Sequence, residues 1–217
     1  MKTNSIFISD NSIANGFIKS YEYPYQVLPN IKEFILRFGL QLDQNYLKIE
    51  DDIWIHKTAK IGKNVEIVGP CIIDENAELR HNAYIRGSVI IGKNCVLGNS
   101  CEIKNSIMYD CSKVPHFNYV GDSILGYNSH MGASAVISNL KSDHSDIKIK
   151  YNDEVIDTHM KKIGAFLGDN VEIGCGCILN PGTIVLSNTN IYPLVSVRGV
   201  IPSNSILKTM NNIVVKK

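Results

Sequence analysis

The chain has 217 residues, 22 Lys and Arg against 21 Asp and Glu, a net charge of +1, and 44% hydrophobic residues. Without a basic block, that balance points away from nucleic acid and from acidic membrane surfaces. No apolar run approaches the ~20 residues that cross a bilayer. Met1-Lys2-Thr3-Asn4-Ser5 leads into no long apolar stretch with a small-residue cleavage site, so a cytoplasmic address is expected.

Residues 1–50 carry no regular repeat. Pro29 to Gly39 predicts a short amphipathic helix, with Pro29 in the first turn, a stripe of Ile31, Phe34, Ile35 and Phe38, and Gly39 as terminator. From Ile55 the pattern changes. Every sixth residue as far as Ile103 is Ile or Leu, as at Ile61, Ile67, Ile73 and Leu79, and a small or β-branched residue precedes each by two places. A period of six fits neither a helix nor a lone strand. It fits short strands separated by turns and wound into a prism, the hexapeptide parallel β-helix, with three units to a coil. The fold class expected for 51–217 is therefore all-β. Residues 1–50 are expected to cap it, because a terminal coil exposes apolar side chains and open strand edges.

Cys71, Cys95, Cys101 and Cys177 all occupy the small inward position and are expected to be packed thiols; no CxxC pair exists. After Ile103 the repeat continues with one-residue contractions through Met108, Val114, Val120, Leu125, Met131 and Ile137. It stops from about 138 to 164, a polar and charged stretch expected to leave the coil as a loop. It resumes at Leu167 and ends in a short terminal element after Ser203.

The contractions run through Cys101-Glu102-Ile103-Lys104 and Val114-Pro115-His116-Phe117-Asn118-Tyr119-Val120-Gly121-Asp122. Glu-x-Lys, then His-x-x-Tyr-x-Gly-Asp, then x-Gly-Ala and an Asn, resembles the acetyltransferase half of the bifunctional enzyme that makes UDP-N-acetylglucosamine. The resemblance covers about residues 53–200. It implies a left-handed parallel β-helix, a homotrimer with sites between subunits, acetyl-CoA as co-substrate, and acetyl transfer to glucosamine 1-phosphate without a metal. By motif position it makes His116 the general base. Arg86 and Lys104 would hold the sugar phosphate, Glu102 and Tyr119 would orient the sugar, and Asn139 would line the site. Lys141 matches a phosphate-contacting lysine. The backbone at Ala133 would face the thioester, and Cys175 and Pro193 fall where the family touches CoA. His130 stands where the family carries Asn, and the sequence after Asn139 departs from the family's, so the change falls on the acceptor side.

The chemistry asks for such groups independently. Only a neutral amine attacks a thioester, and a His titrates in the right range to take the ammonium proton. A backbone N–H suits the oxyanion, and Arg and Lys suit a phosphate. The nucleotidyltransferase half opens with a Gly-rich phosphate loop that these first 50 residues lack. Uridylyl transfer is not expected of this chain, and a separate nucleotidyltransferase would be its partner. Three alternatives stand beside this reading: a different amino-sugar or nucleotide-sugar acceptor, a non-catalytic trimeric ligand-binding relative, and a γ-type carbonic anhydrase. The last needs three His ligands for its metal, and beyond His81 and His116 the sequence offers no convincing third.

Overall fold

A computed structural model describes residues 1–50, 52–151 and 154–216. The repeat builds a parallel β-solenoid of about eight turns whose strands stack into three sheets. The first face runs from Ile53–His56 and Cys71–Ile73 to Thr183–Val185 and Val200–Ile201. The second includes Val96–Asn99, Lys113–His116 and His130–Met131, and the third Tyr84–Arg86, Glu102–Lys104 and Tyr119–Gly121. Register steps follow the sequence: Ile72 pairs with Ile90, Ile90 with Ile107 and Ile107 with Ile124, so coils of 18 residues shorten to 17 where the contractions lie.

Each coil sends two side chains per face into one continuous core, among them Cys71 with Ile73, Cys95 with Leu97 and Cys177 with Leu179. The four inward thiols are buried as expected, while Cys175 is exposed. Corners turn on left-handed residues, most often Asn, whose short amide tolerates that region. Between the first and second faces these amides form a ladder, Asn128 to Asn170 to Asn188 to Asn204, at 2.9 to 3.2 Å.

The N-terminal segment does not sit over the end of the prism. Its helix, Ile31–Gly39, and the residues before it lie along the first face. The reason is a second apolar ladder, pointing outward from the middle of each first-face strand: Trp54, Ile72, Ile90, Ile107, Ile124, Phe166 and Ile184. Ile6, Phe7, Ile18, Leu28, Ile31 and Ile35 cover it and are themselves buried. Gly39 is more than a terminator, since a Cβ there would lie 2.5 Å from the Trp54 ring, so only Gly lets the helix end seat on the first coil. The first coil keeps its second and third faces open at the end, and Ile61, expected inside, is 42% exposed.

A hairpin extends one sheet at each end of the prism. Tyr46–Glu50 pairs antiparallel with Ile53–His56 at one end, and Asn212–Val215 with Ser205–Thr209 at the other. The excursion leaves after Ile137 and returns at Gly164, so the register step across it is 42 residues. It carries its own antiparallel hairpin, Lys148–Tyr151 with Glu154–Asp157. Among the described residues no helix is long and apolar enough to cross a membrane.

Candidate active site

The corner between the second and third faces places His116, Ala133, Cys175 and Pro193 in one column on successive coils. Register fixes this: Lys113 pairs with His130 and His130 with Glu172, so residues three further on share a level. A ladder of backbone bonds confirms it, with each column carbonyl accepting from the next coil's corner N–H. Ser134 donates to His116 at 2.9 Å, Gly176 to Ala133 at 2.8 Å and Leu194 to Cys175 at 2.9 Å. The N–H groups of Ala133 and Cys175 have no hydrogen-bond partner among the described residues. His116 is exposed, and its ring is likewise unpartnered there.

Two residues that the sequence reading left unassigned hold this turn. Asn118 occupies a small inward position of the repeat, where every other coil puts an apolar or weakly polar residue, and is 3% exposed. Its Oδ1 accepts the His116 N–H at 3.0 Å, and its Nδ2 donates to the carbonyls of Gly132 at 2.8 Å and Ala135 at 2.9 Å. One amide thereby ties the His116 turn to the Ala133 turn. Gly98 lies beneath Pro115, so close that an added Cβ would stand 1.6 Å from the Pro115 carbonyl oxygen. Phe117, next to His116, adopts φ +53 and is 56% exposed. A bulky left-handed residue is a genuine outlier and marks a constrained turn. The polar residue in an apolar register was the available signal for Asn118.

The third face gathers Arg86, Glu102, Lys104, Tyr119 and Asn139. Glu102 stacks between Tyr84 and Tyr119, and Lys104 pairs in register with Gly121. Arg86 Nη1 meets Glu102 Oε1 at 2.6 Å, and this contact raises the guanidinium above its ordinary value. Lys104 Nζ lies 3.4 Å from Asp122 Oδ2. Asp122 is 4% exposed and also accepts from Asn105 at 2.8 Å and from Asn139. Asn139 Nδ2 reaches the Tyr119 hydroxyl at 3.3 Å, while burial, then Asp122 and Glu102, push the Tyr119 phenol upward. Gly121 makes room: a Cβ there would meet that hydroxyl at 2.6 Å and Asn139 Nδ2 at 2.8 Å. Asn139 and Asp122 also close the neck of the excursion, their carbonyls accepting from Ile163 at 3.0 Å and Gly164 at 2.8 Å.

Not every predicted residue joins these groups. His130 projects from the second face, where its Nδ1 lies 2.8 Å from Glu172 Oε2. Lys141 lies on the excursion beside Ser145 and Asp143. His81 shares the His116 column two coils earlier. The potential metal-ligating trio among the described residues is Asp146, Asp157 and His159 on the excursion, and it includes neither His81 nor His116.

The family model described as GMPPB C-terminal domain matches residues 67–201, which span the column, the third-face cluster and the excursion. The chain belongs to that family. A bifunctional sugar-1-phosphate nucleotidylyltransferase/acetyltransferase of Sulfurisphaera tokodaii is 31% identical over 170 residues, covering 70% of this chain and 42% of that protein. A bifunctional protein GlmU of Methanococcus aeolicus is 34% identical over 175 residues, covering 72% and 42%. The chain spans about two fifths of the length of these curated relatives. Among solved structures, the polysialic-acid-specific acetyltransferase NeuO aligns with a TM-score of 0.47 at 15% identity, over 77% of this chain and 88% of that one. The chain is thus a left-handed β-helix of the hexapeptide-repeat kind with GlmU-type bifunctional proteins among its homologues.

Proposed function

We propose that this chain is an acetyl-CoA-dependent N-acetyltransferase acting on an amino-sugar phosphate, with glucosamine 1-phosphate as the first acceptor to test. The observation that carries this reading is the corner column: a solvent-facing imidazole one coil from an unpartnered backbone N–H, with a second such N–H on the next coil. The free N–H groups fit a thioester carbonyl and an extended amide-bearing arm, both of which need donors.

His116 takes a proton from the acceptor ammonium, and the neutral amine attacks the acetyl carbonyl. The oxygen that gains charge is stabilised by the Ala133 N–H. The C–S bond then breaks, the imidazolium returns its proton to the departing thiolate, and the nitrogen of the new amide loses its remaining extra proton to solvent. Asn118 keeps base and donor in register, because it bonds both turns at once. Tyr119 and Glu102 orient the sugar across the third face. The working form on this reading is a cytoplasmic homotrimer with sites between subunits.

Free-thiol release from acetyl-CoA, measured with and without glucosamine 1-phosphate, tests the proposal. Release that needs the amino sugar and falls at least a hundredfold in His116→Ala supports it. Saturable CoA binding with no turnover over a broad acceptor panel would show a non-catalytic ligand-binding relative instead.

A further inference from the structure

The excursion encloses a groove of about 970 Å3 against the last coils, at the corner between the third and first faces. One wall is the excursion, which brings Lys141, Lys148 and Lys150 together with Asp143, Asp146 and Asp157. The other is formed by Asn180, Gly182 and Arg198 on two successive coils. A volume of that size suits a nucleotide and is far larger than a hexosamine phosphate fills.

Charge pairing inside the groove is uneven. Lys141 lies 3.7 Å from Asp143, and Lys148 lies 3.1 Å from Asp157. Arg198 has no carboxylate partner among the described residues; its Nη2 donates to the side-chain amide oxygen Oδ1 of Asn180 at 3.3 Å. The cations predicted to hold a phosphate are already committed on the third face, Arg86 to Glu102 and Lys104 to Asp122. The fork left open for a phosphate is therefore Arg198. Beside it the corner glycines Gly182 and Gly199 share φ +78, giving a backbone floor without side chains.

We propose that this groove binds the diphosphate of a nucleoside diphosphate, with Arg198 as its principal ligand. The groove lies at the far end of the third face, two and three coils beyond His116 along the prism, so diphosphate binding there does not rest on the acetyl-transfer reading.

Calorimetric titration of the full chain with UDP, inorganic pyrophosphate, glucosamine 1-phosphate and CoA tests it. UDP and pyrophosphate are expected to bind, glucosamine 1-phosphate more weakly, and Arg198→Ala to weaken UDP at least tenfold while leaving CoA unchanged. Asp146→Asn, which removes a negative charge from the same groove, should tighten UDP. His116→Ala should bind UDP as the parent does, so loss of turnover there separates the catalytic reading from this one. The proposal fails if UDP does not bind or if neither groove substitution changes its affinity. It fails also if CoA displaces UDP, because the groove would then hold the co-substrate's own diphosphate.

Discussion

The Asn118 side chain accepts the His116 backbone N–H at 3.0 Å while its own amide spans to the next coil. Asn118→Ala removes these bonds at a site that is 3% exposed and leaves the His116 N–H and the Ala135 carbonyl unsatisfied, while the Gly132 carbonyl still accepts from the Ala135 N–H at 3.1 Å. Each such group costs about 1–3 kcal/mol, so the substitution should destabilise by roughly 2–4 kcal/mol. Urea unfolding gives that value. Turnover of the fraction still folded should drop more than tenfold, with the substrate KM less affected, because the base and its facing donor lose their common anchor. A stability change under about 0.5 kcal/mol would show that the amide is not structurally engaged.

Gly98 and Pro115 make a second, steric test of the same turn. A methyl at 98 cannot coexist with the Pro115 carbonyl at 1.6 Å, and the three nearest atoms are all Pro115 backbone. Gly98→Ala should shift the Lys113–His116 strand outward and abolish activity. Gly16→Ala, where an added Cβ meets nothing within 4 Å, is the control and should be neutral. Equal activity in the two variants would mean that the His116 turn is not held in place by that approach.

The inward core was legible because period six fixes which side chains face in, and Leu97, Val114 and Leu179 all lie where the pattern puts them. The flank was not read, although Ile72, Ile90 and Ile107 were visible as an additional apolar residue between the two inward positions of each first-face strand. A six-residue repeat averages over the three faces, and only an 18-residue comparison isolates the one face that is apolar on both sides. His130 shows a related limit. Its place between family motifs is clear from sequence, but the direction of its side chain depends on strand phase after two contractions. Asn118 was hidden for the opposite reason, since a polar residue at a core position reads as noise until its partners are seen.

The flank carries a stability prediction. Phe7 is fully buried and stacks on Tyr109 with ring centroids 5.4 Å apart and planes 12° apart. Phe7→Ala should cost about 3–5 kcal/mol, measured by urea unfolding, without altering the inward core. A cost below about 1 kcal/mol would indicate that the N-terminal segment is loosely attached.

Asp110 gives the pH dependence a sign. Burial holds its carboxyl above the ordinary value, and Asp74 adds to this, while the Lys93 N–H and ammonium oppose it. The folded state therefore binds more protons than the unfolded state between the ordinary carboxylate pKa and the raised one. Stability falls as pH climbs through that window, and the loss persists at neutral pH. Asp110→Asn keeps an oxygen for the Lys93 N–H, now accepted at 2.9 Å, and removes the charge. Its Tm should exceed that of the parent at pH 7 and match it near pH 3. A higher parent Tm at neutral pH would overturn the assignment.

The thiols test the corner column without any assumption about the acceptor. Burial pushes the Cys71 thiol up to about 12 and raises Cys101 and Cys177, and Cys95 lies well above its ordinary value. A thiol that stays protonated and is shielded from solvent is inert to alkylation. Cys175 is exposed at the level of Ala133. Native protein treated with iodoacetamide at pH 8 should therefore label first at Cys175, with Cys111 slower and the four inward thiols silent until unfolding, as peptide mass spectrometry would reveal. If the column receives the arm of CoA, saturating CoA should slow Cys175 labelling at least fivefold and leave Cys111 unchanged. Protection of neither would remove the column from the CoA path, whereas protection of both equally would point to global tightening rather than contact. Because Cys175→Ser preserves size and keeps the backbone N–H, it should retain turnover, which separates the role of the corner backbone from that of the thiol it carries.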